Sequence, residues 1–199
     1  MDGRILYNPL AALGKDKGFV AAIFVVAALT AVAWWGGVHL DGALDLHIAP
    51  DRPSVNLVIA ESLIDWLSLG ILLFVASKLF GGNGGLGAHL AATGLSRFPY
   101  ILASVLMSRQ LLGKAMLQAV SVSQQQVAVR PQDLMTPAVI IGSLILLVLV
   151  IWSVVLLYLG YKDASRVRGG KVVAAFVTGL ILAEIASKLL VMWAVRAGI

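Results

Sequence analysis

The chain has 199 residues, of which 60% are hydrophobic and 13% are charged, and its mean hydropathy is +0.94. Soluble domains contain about 45–50% apolar and about 25% charged residues, so this composition excludes a soluble globular protein, a disordered chain and a coiled coil. The net charge of +5 comes from scattered basic residues, which argues against nucleic acid as a partner. Because the chain has no cysteine, disulfides and thiolate metal sites are also excluded.

Five apolar stretches are long enough to cross a bilayer, which requires about 20 residues per helix. In chain order, the predicted spans are residues 19–38, 55–80, 86–107, 138–160 and 172–195. The third stretch is the weakest because it contains Arg97, and we expect Gly94 and Pro99 to break its helix. It is therefore either a continuous span or a re-entrant segment.

The polar parts of the chain are too short to form a core of their own. The longest, residues 108–137, follows the third stretch and is predicted to be an outer loop. Its first part has the apolar spacing of an amphipathic helix, which either lies on the outer leaflet or offers a docking surface to another protein. The sequence therefore predicts one all-α membrane domain over residues 1–199, a bundle of five transmembrane helices.

The distribution of Lys and Arg predicts the orientation of this bundle. With five spans, the segments on the side of the N-terminus hold eight basic residues and those on the opposite side hold five. Basic residues are retained on the cytoplasmic side of a membrane. We therefore expect a cytoplasmic N-terminus and a C-terminus outside.

Apart from Lys78 at the edge of the second span, five charged residues fall inside the predicted spans. They are Glu61, Asp65, Arg97, Glu184 and Lys188. A charge at the centre of a span costs about 2.5–3.5 kcal/mol, so such residues usually face the bundle interior and have partners. Helical depth places Arg97 level with Asp65 and Glu184. The first interpretation is a structural cluster that neutralises itself, and the alternative is a path for protons or a polar substrate.

Two other segments resemble ligand sites. Residues 82–87 match G-x-G-x-x-G, but they follow a membrane span instead of a strand, so we interpret Gly81, Gly82, Gly84 and Gly85 as a tight cytoplasmic turn without nucleotide.

The first loop contains residues that can bind a transition metal but lacks zinc-type spacing, so we interpret it as a solvated acidic loop. These are His39, Asp41, Asp45, His47 and Asp51. No metal, cofactor or catalytic residue is predicted, because no enzyme motif is present.

Several motifs resemble those of a known family. Residues 7–13 read Tyr-Asn-Pro-Leu-Ala-Ala-Leu, residues 80–86 read Phe-Gly-Gly-Asn-Gly-Gly-Leu, and residues 93–102 continue from Thr-Gly-Leu to Pro-Tyr-Ile-Leu. A late segment contains Trp152, Gly160 and Ser165. Together they resemble the Yip (Ypt-interacting protein) domain family in its small bacterial form.

The resemblance implies five helices, a cytoplasmic N-terminus and no known enzymatic activity. Eukaryotic relatives interact with Rab-type GTPases and usually have a longer cytoplasmic N-terminal region than this sequence, so we do not expect that role to transfer. Some bacterial members are linked to ABC-type export systems. We therefore expect a non-enzymatic multi-pass protein of the bacterial cytoplasmic membrane. It would contact the lipid bilayer and either another membrane protein or a second copy of itself, as a scaffold or accessory subunit. The alternative is a small transporter or channel that uses the intramembrane charges.

Overall fold

The computed structural model describes residues 6–42, 44–48, 51–115, 117 and 136–198. The elements within these residues are α1 (Pro9–Leu13), α2 (Lys15–Gly36), β1 (Val38–His39), β2 (His47–Ile48), α3 (Val55–Leu79), α4 (Leu86–Leu95), α5 (Phe98–Met107), α6 (Pro137–Ser165) and α7 (Lys171–Arg196). Five segments are long and apolar enough to cross a membrane: α2, α3, α4 together with α5, α6 and α7. The predicted all-α membrane protein with five spanning helices is confirmed.

Two of the long helices, α3 and α6, begin after a residue whose side chain satisfies a free backbone N–H group. Ser54 accepts a hydrogen bond from the N–H of Leu57 at the start of α3, and Thr136 accepts one from Val139 at the start of α6. Helix α2 ends at Gly37, whose φ of 70° lies in the left-handed region that glycine adopts without strain.

The bundle is built on two close helix pairs, α3 with α7 and α2 with α4. Small residues make both contacts possible, because a missing side chain lets two backbones approach. A Cβ on Gly179 of α7 would lie 2.8 Å from the side chain of Leu73 of α3, and one on Gly94 of α4 would lie 2.5 Å from Cβ of Ala22 of α2. Gly94 is therefore a packing residue inside α4, which differs from the predicted helix break at that position.

The third span crosses the whole bundle instead of turning back. Near its start, the N–H of Gly84 donates to the carbonyl of Ser165 at 3.2 Å. Beyond its end, the N–H of Arg109 donates to the carbonyl of Gly36 at 3.1 Å, at the opposite end of α2 from Lys15. The helix is interrupted at Ser96 and Arg97, and α5 begins there with a proline in its first turn, where a missing N–H costs nothing.

The two ends of the bundle are built differently. At one end the β1–β2 hairpin connects α2 to α3, with Val38 opposite Ile48 and His39 opposite His47, and this is the hairpin end. At the other end residues 80–85 connect α3 to α4, and this is the glycine-turn end. Since the segments cross five times, α2 starts at the glycine-turn end and α7 finishes at the hairpin end. The predicted amphipathic helix begins within the described residues, where residues 113–115 and 117 are helical, and its other positions, Met116, Ala119 and Val120, lie outside them.

Candidate functional site

The hairpin folds back over the bundle and reaches a buried carboxylate of α3. Glu61 is only 1% exposed. Its Oε2 accepts a hydrogen bond from the N–H of Leu40 at 3.2 Å, and its Oε1 lies 2.6 Å from Nδ1 of His39. Glu61 is therefore satisfied by the first loop and not by a basic residue inside the membrane.

Glu184 of α7 holds the other arm of the same loop. Its Oε2 accepts a hydrogen bond from the N–H of Leu44 at 3.1 Å, and its Oε1 lies 3.2 Å from Nζ of Lys188. The same ammonium group lies 3.2 Å from Oδ2 of Asp45. From α5, the hydroxyl of Tyr100 donates to the carbonyl of Leu44 at 3.0 Å. Three spanning segments thus fix the position of the hairpin.

Two histidines face each other across the hairpin. The rings of His39 and His47 stack with centroids 5.4 Å apart, and Nδ1 of His47 lies 3.3 Å from Oδ1 of Asp41. The hydrogen bond with Glu61 raises the pKa of His39, and the negative charges of Glu61 and Asp41 add to this effect against the opposing effect of burial. When it is protonated, His39 neutralises the buried carboxylate of Glu61.

Part of the predicted metal-binding set does come together. Asp41, Asp45 and His47 each place a ligand atom within 4.8 Å of the others, whereas the described atoms of His39 and Asp51 are outside this group. Each of the three already has an oppositely charged or polar partner in the contacts above. Ion pairing therefore suffices to explain the arrangement.

A cavity of about 410 Å³ opens beside the hairpin. Its polar side is formed by both hairpin histidines together with Asp41, Glu61, Lys188 and Arg196, and its apolar side by Val191, Met192 and Val195. The first loop is thus a folded cap with an adjoining pocket, and the side chains of Asp41, Asp45 and His47 remain 37–48% exposed on it.

Deeper in the bundle, Asp65 and Arg97 are enclosed without direct partners. Asp65 is 0% exposed and Arg97 is 3% exposed. Neither oxygen of the carboxylate, and neither Nε nor Nη2 of the guanidinium, has a hydrogen-bond partner in the described part of the chain. Arg97 is close enough to act electrostatically on Asp65, but no ion pair of 4.0 Å or less joins them.

The structure therefore divides the five intramembrane charges into two groups. Glu61, Glu184 and Lys188 hold the hairpin, while Asp65 and Arg97 lie in the interior near the break between α4 and α5. The sequence missed the first-loop backbone as a partner of the carboxylates. The available signal was the apolar character of Val38, Leu40 and Ile48, which are all buried although they lie in a loop between spans.

At the glycine-turn end the chain closes through backbone contacts. Gly81 has a φ of +82°, and the N–H of Gly82 donates to the carbonyl of Ser77 at 2.7 Å. Gly84 does not have a positive φ. It is needed because a Cβ there would overlap the carbonyl oxygen of Ala164, whereas a Cβ on Gly85 would meet nothing within 4 Å. The four turn glycines thus have different roles.

A larger cavity, of about 820 Å³, lies beside this turn. The start of α2, the glycine turn and the end of α6 form its walls, and its charged lining residues are Lys15, Asp16, Asp163 and Arg166. The segment before α2 is held there, because Asn8 donates to Oδ2 of Asp163 at 2.7 Å and Nε1 of Trp152 donates to the carbonyl of Leu6 at 2.9 Å.

Comparison with known proteins agrees with this architecture. The Yip1 domain model matches residues 15–191, from the first residue of α2 into the last turns of α7. The chain belongs to the Yip1 domain family. This is a family of membrane proteins that is not known to be enzymatic. No curated protein and no solved structure matches this Yip1 chain.

Proposed function

We propose that this Yip1-family chain is a non-enzymatic scaffold or accessory subunit of a membrane complex, and that it binds its partner in the cavity at the glycine-turn end. The observation that carries the proposal is that cavity, which is open, has a volume of about 820 Å³ and is lined by charged side chains from separate elements. The enclosed charges of Asp65 and Arg97 offer no comparable surface.

The charge at this end suggests the kind of partner. The described residues there include seven basic side chains against the acidic pair Asp16 and Asp163. The basic residues are Lys15, Lys17, Lys78, Lys162, Arg166, Arg168 and Lys171. Complementary charge steers association and fixes the register of an interface. The proposed occupant is therefore an acidic segment of another subunit, and an ABC-type export system is the candidate complex.

The proposal also covers the subgroup, location and orientation of the chain. We propose that the chain is a small bacterial member of the family, a single domain in the cytoplasmic membrane, with the glycine-turn end in the cytoplasm. Basic residues favour that side, by eight against five over the whole chain. The first helix would then start in the cytoplasm and α7 would end outside.

The test is co-purification from native membranes in mild detergent, with a photo-crosslinking residue at Ala11, which lines the cavity. We expect a stoichiometric partner that crosslinks through an acidic segment. Lys15→Glu with Arg166→Glu should reduce its recovery about tenfold, and acid-to-base changes in the crosslinked segment should restore it. The matched control is Lys114→Glu, an exposed basic residue at the hairpin end.

Two results would contradict this function. One is recovery that the paired charge reversals leave equal to that of Lys114→Glu. The other is crosslinking from Ala11 to anionic lipid alone, which would make the basic end a lipid contact.

A small transporter or channel is the second candidate, and one observation favours it. The third span is discontinuous at Arg97, beside the buried carboxylate of Asp65, and broken helices form ion and substrate sites in transporters. This function requires proton-coupled flux in liposomes that Asp65→Asn abolishes while the variant still folds. Flux that is absent, or unchanged by the substitution, removes this candidate.

A further inference from the structure

An apolar groove separates α2 from α3 on the membrane-facing surface. It has a volume of about 430 Å³ and runs from Trp34 and Val55 at the hairpin end to Ile23 and Trp66 at its inner end. We propose that this groove binds one acyl chain of a glycerophospholipid whose phosphate group lies on Arg52.

The length of the groove fits one leaflet. Along α2 it extends from Trp34 to Ile23, and eleven residues at about 1.5 Å each give about 16 Å. The hydrocarbon core of a bilayer is about 30 Å thick, so one leaflet supplies about half of that. A single acyl chain entering beside Trp34 would reach Trp66 near its end.

The walls are chemically suited to an acyl chain. Ala27 and Ala31 leave the groove open, because neither side chain extends beyond Cβ. The only wall residue with a hydroxyl group, Thr30, donates that group to the carbonyl of Val26 at 2.8 Å, so its polarity is already satisfied. On the facing wall Ile59 and Leu63 are each 43% exposed, which leaves them in contact with the membrane.

The inner end of the groove is closed and rigid. Trp66 is 7% exposed, and its Nε1 donates to the carbonyl of Leu90 at 2.9 Å. Its ring also packs on Phe19, with centroids 6.3 Å apart. An indole fixed in this way forms a defined floor for the end of an acyl chain.

The outer end of the groove is flanked by the cation of Arg52. Arg52 is the only Lys or Arg in the connection formed by residues 37–54. Its guanidinium lies 4.8 Å from the ring centroid of Trp34, and it donates to the carbonyls of Trp34 and Trp35 at 3.5 and 3.4 Å. A guanidinium has five N–H donors, so others are free for a phosphate at the membrane surface.

A phospholipid explains the apolar groove and Arg52 together better than a free anion does. Arg52 follows the acidic Asp51, and both are exposed, so the local charge alone would hold inorganic phosphate weakly. The acyl chain would bring the phosphate to the arginine, and the arginine would select lipids that carry a phosphate. A diacylglycerol, which has the chains but no phosphate, separates these two contributions.

The first experiment measures quenching of Trp66 by a brominated lipid in detergent. Trp34, Trp35, Trp152 and Trp193 are changed to Phe, which leaves Trp66 as the only tryptophan. Dibrominated phosphatidylglycerol should quench its fluorescence and saturate at one lipid per protein. Dibrominated diacylglycerol should bind about fivefold more weakly, as expected for the loss of one phosphate–arginine contact.

Two variants test the location. Ala31→Phe fills the groove and should abolish the saturable quenching, whereas Val148→Phe on the exposed face of α6 should leave it unchanged. Arg52→Gln should remove the preference for phosphatidylglycerol over diacylglycerol. Quenching that rises linearly with lipid in every variant, or that Ala31→Phe and Val148→Phe change equally, would overturn the proposal.

A second measurement does not depend on the tryptophan changes. Native mass spectrometry of the delipidated, otherwise unchanged protein should show one phospholipid retained after it is added back. Ala31→Phe should lower that occupancy about tenfold, because the ring takes the volume of the acyl chain. Retention of no lipid, or equal retention by Ala31→Phe, would equally overturn it.

Discussion

The connections at the two ends of the bundle are held in place by different chemistry. At the glycine-turn end, backbone approaches backbone, and Gly82 and Gly84 make room for the carbonyl groups at the end of α6. At the hairpin end, the carboxylates of Glu61 and Glu184 accept hydrogen bonds from the loop backbone. The glycine-turn end depends on the absence of side chains, and the hairpin end depends on carboxylates that accept backbone hydrogen bonds. Substitutions that add volume should therefore damage the first, and substitutions that remove charge should damage the second.

The largest effect is expected from Gly84→Ala. The added Cβ would overlap the carbonyl oxygen of Ala164, and neither backbone can move without disturbing the turn. We expect a loss of about 3 kcal/mol in the free energy of unfolding, measured by thermal denaturation in detergent. Gly85→Ala is the matched control, since its Cβ meets nothing within 4 Å, and equal melting temperatures for the two variants would show that the close approach is not needed.

At the hairpin end, Glu61→Leu should have the next largest effect. It leaves the N–H of Leu40 buried without an acceptor, which should cost about 2 kcal/mol of unfolding free energy. Glu184→Leu should cost about half as much, about 1 kcal/mol, because the Glu184 side chain is 30% exposed and water can replace it. Denaturation of both variants tests this order, and a larger loss for Glu184→Leu would reverse our account of which carboxylate holds the hairpin.

Between the two ends, Asp65 and Arg97 should be coupled although they do not touch. Removing Arg97 strands a buried carboxylate, so Arg97→Leu alone should be more harmful than Arg97→Leu combined with Asp65→Leu. A double-mutant cycle of thermal stability should give a coupling of about 1.5 kcal/mol. Strictly additive losses would mean that the two residues are buried independently.

The smallest effect concerns pH and only the hairpin end. Because the pKa of His39 is raised, the protonated ring stabilises the folded hairpin fully below its ordinary pKa of about 6.5. That contribution is lost as the pH rises through the higher folded pKa. We expect it to be about 0.5 kcal/mol, since His39 is partly exposed.

Hydrogen exchange of residues 38–48 across this pH range measures the effect. Protection should fall at higher pH in the unchanged protein and stay flat in His39→Gln, while exchange at the glycine-turn end stays constant in both. A pH response that persists in His39→Gln would assign it to another group, such as His47.

The difference between the ends also explains what the sequence could predict. The spanning segments follow from apolar runs of sufficient length, and Pro99 indicated an interruption of the third. The position of that interruption, at Ser96 and Arg97, could not be predicted. Gly94 suggested an earlier break, but it is a glycine because Ala22 and Trp66 pack closely against it, and such packing depends on the partner helix.

The hydrogen-bond partners of the carboxylates could not be predicted from the sequence either. Helical depth compares side chains only with other side chains, as in the level of Arg97 with Asp65 and Glu184. The partners of Glu61 and Glu184 include backbone N–H groups of Leu40 and Leu44, and a hydropathy pattern carries no information about where a loop backbone lies. The positions of Asp65 and Arg97 in the interior agree with the expected burial of charges, while their separation depends on the path of the broken helix.

The bond between Leu44 and Glu184 has a consequence for biosynthesis. The two residues are 140 positions apart, and Asp45 reaches Lys188 across 143 positions. A ribosome adds about 5–20 residues per second, so the first loop would wait on the order of ten seconds for its acceptor to be made. The cap of the bundle can close only when the last helix arrives. Membrane insertion of α7 would thus complete the fold of the hairpin end.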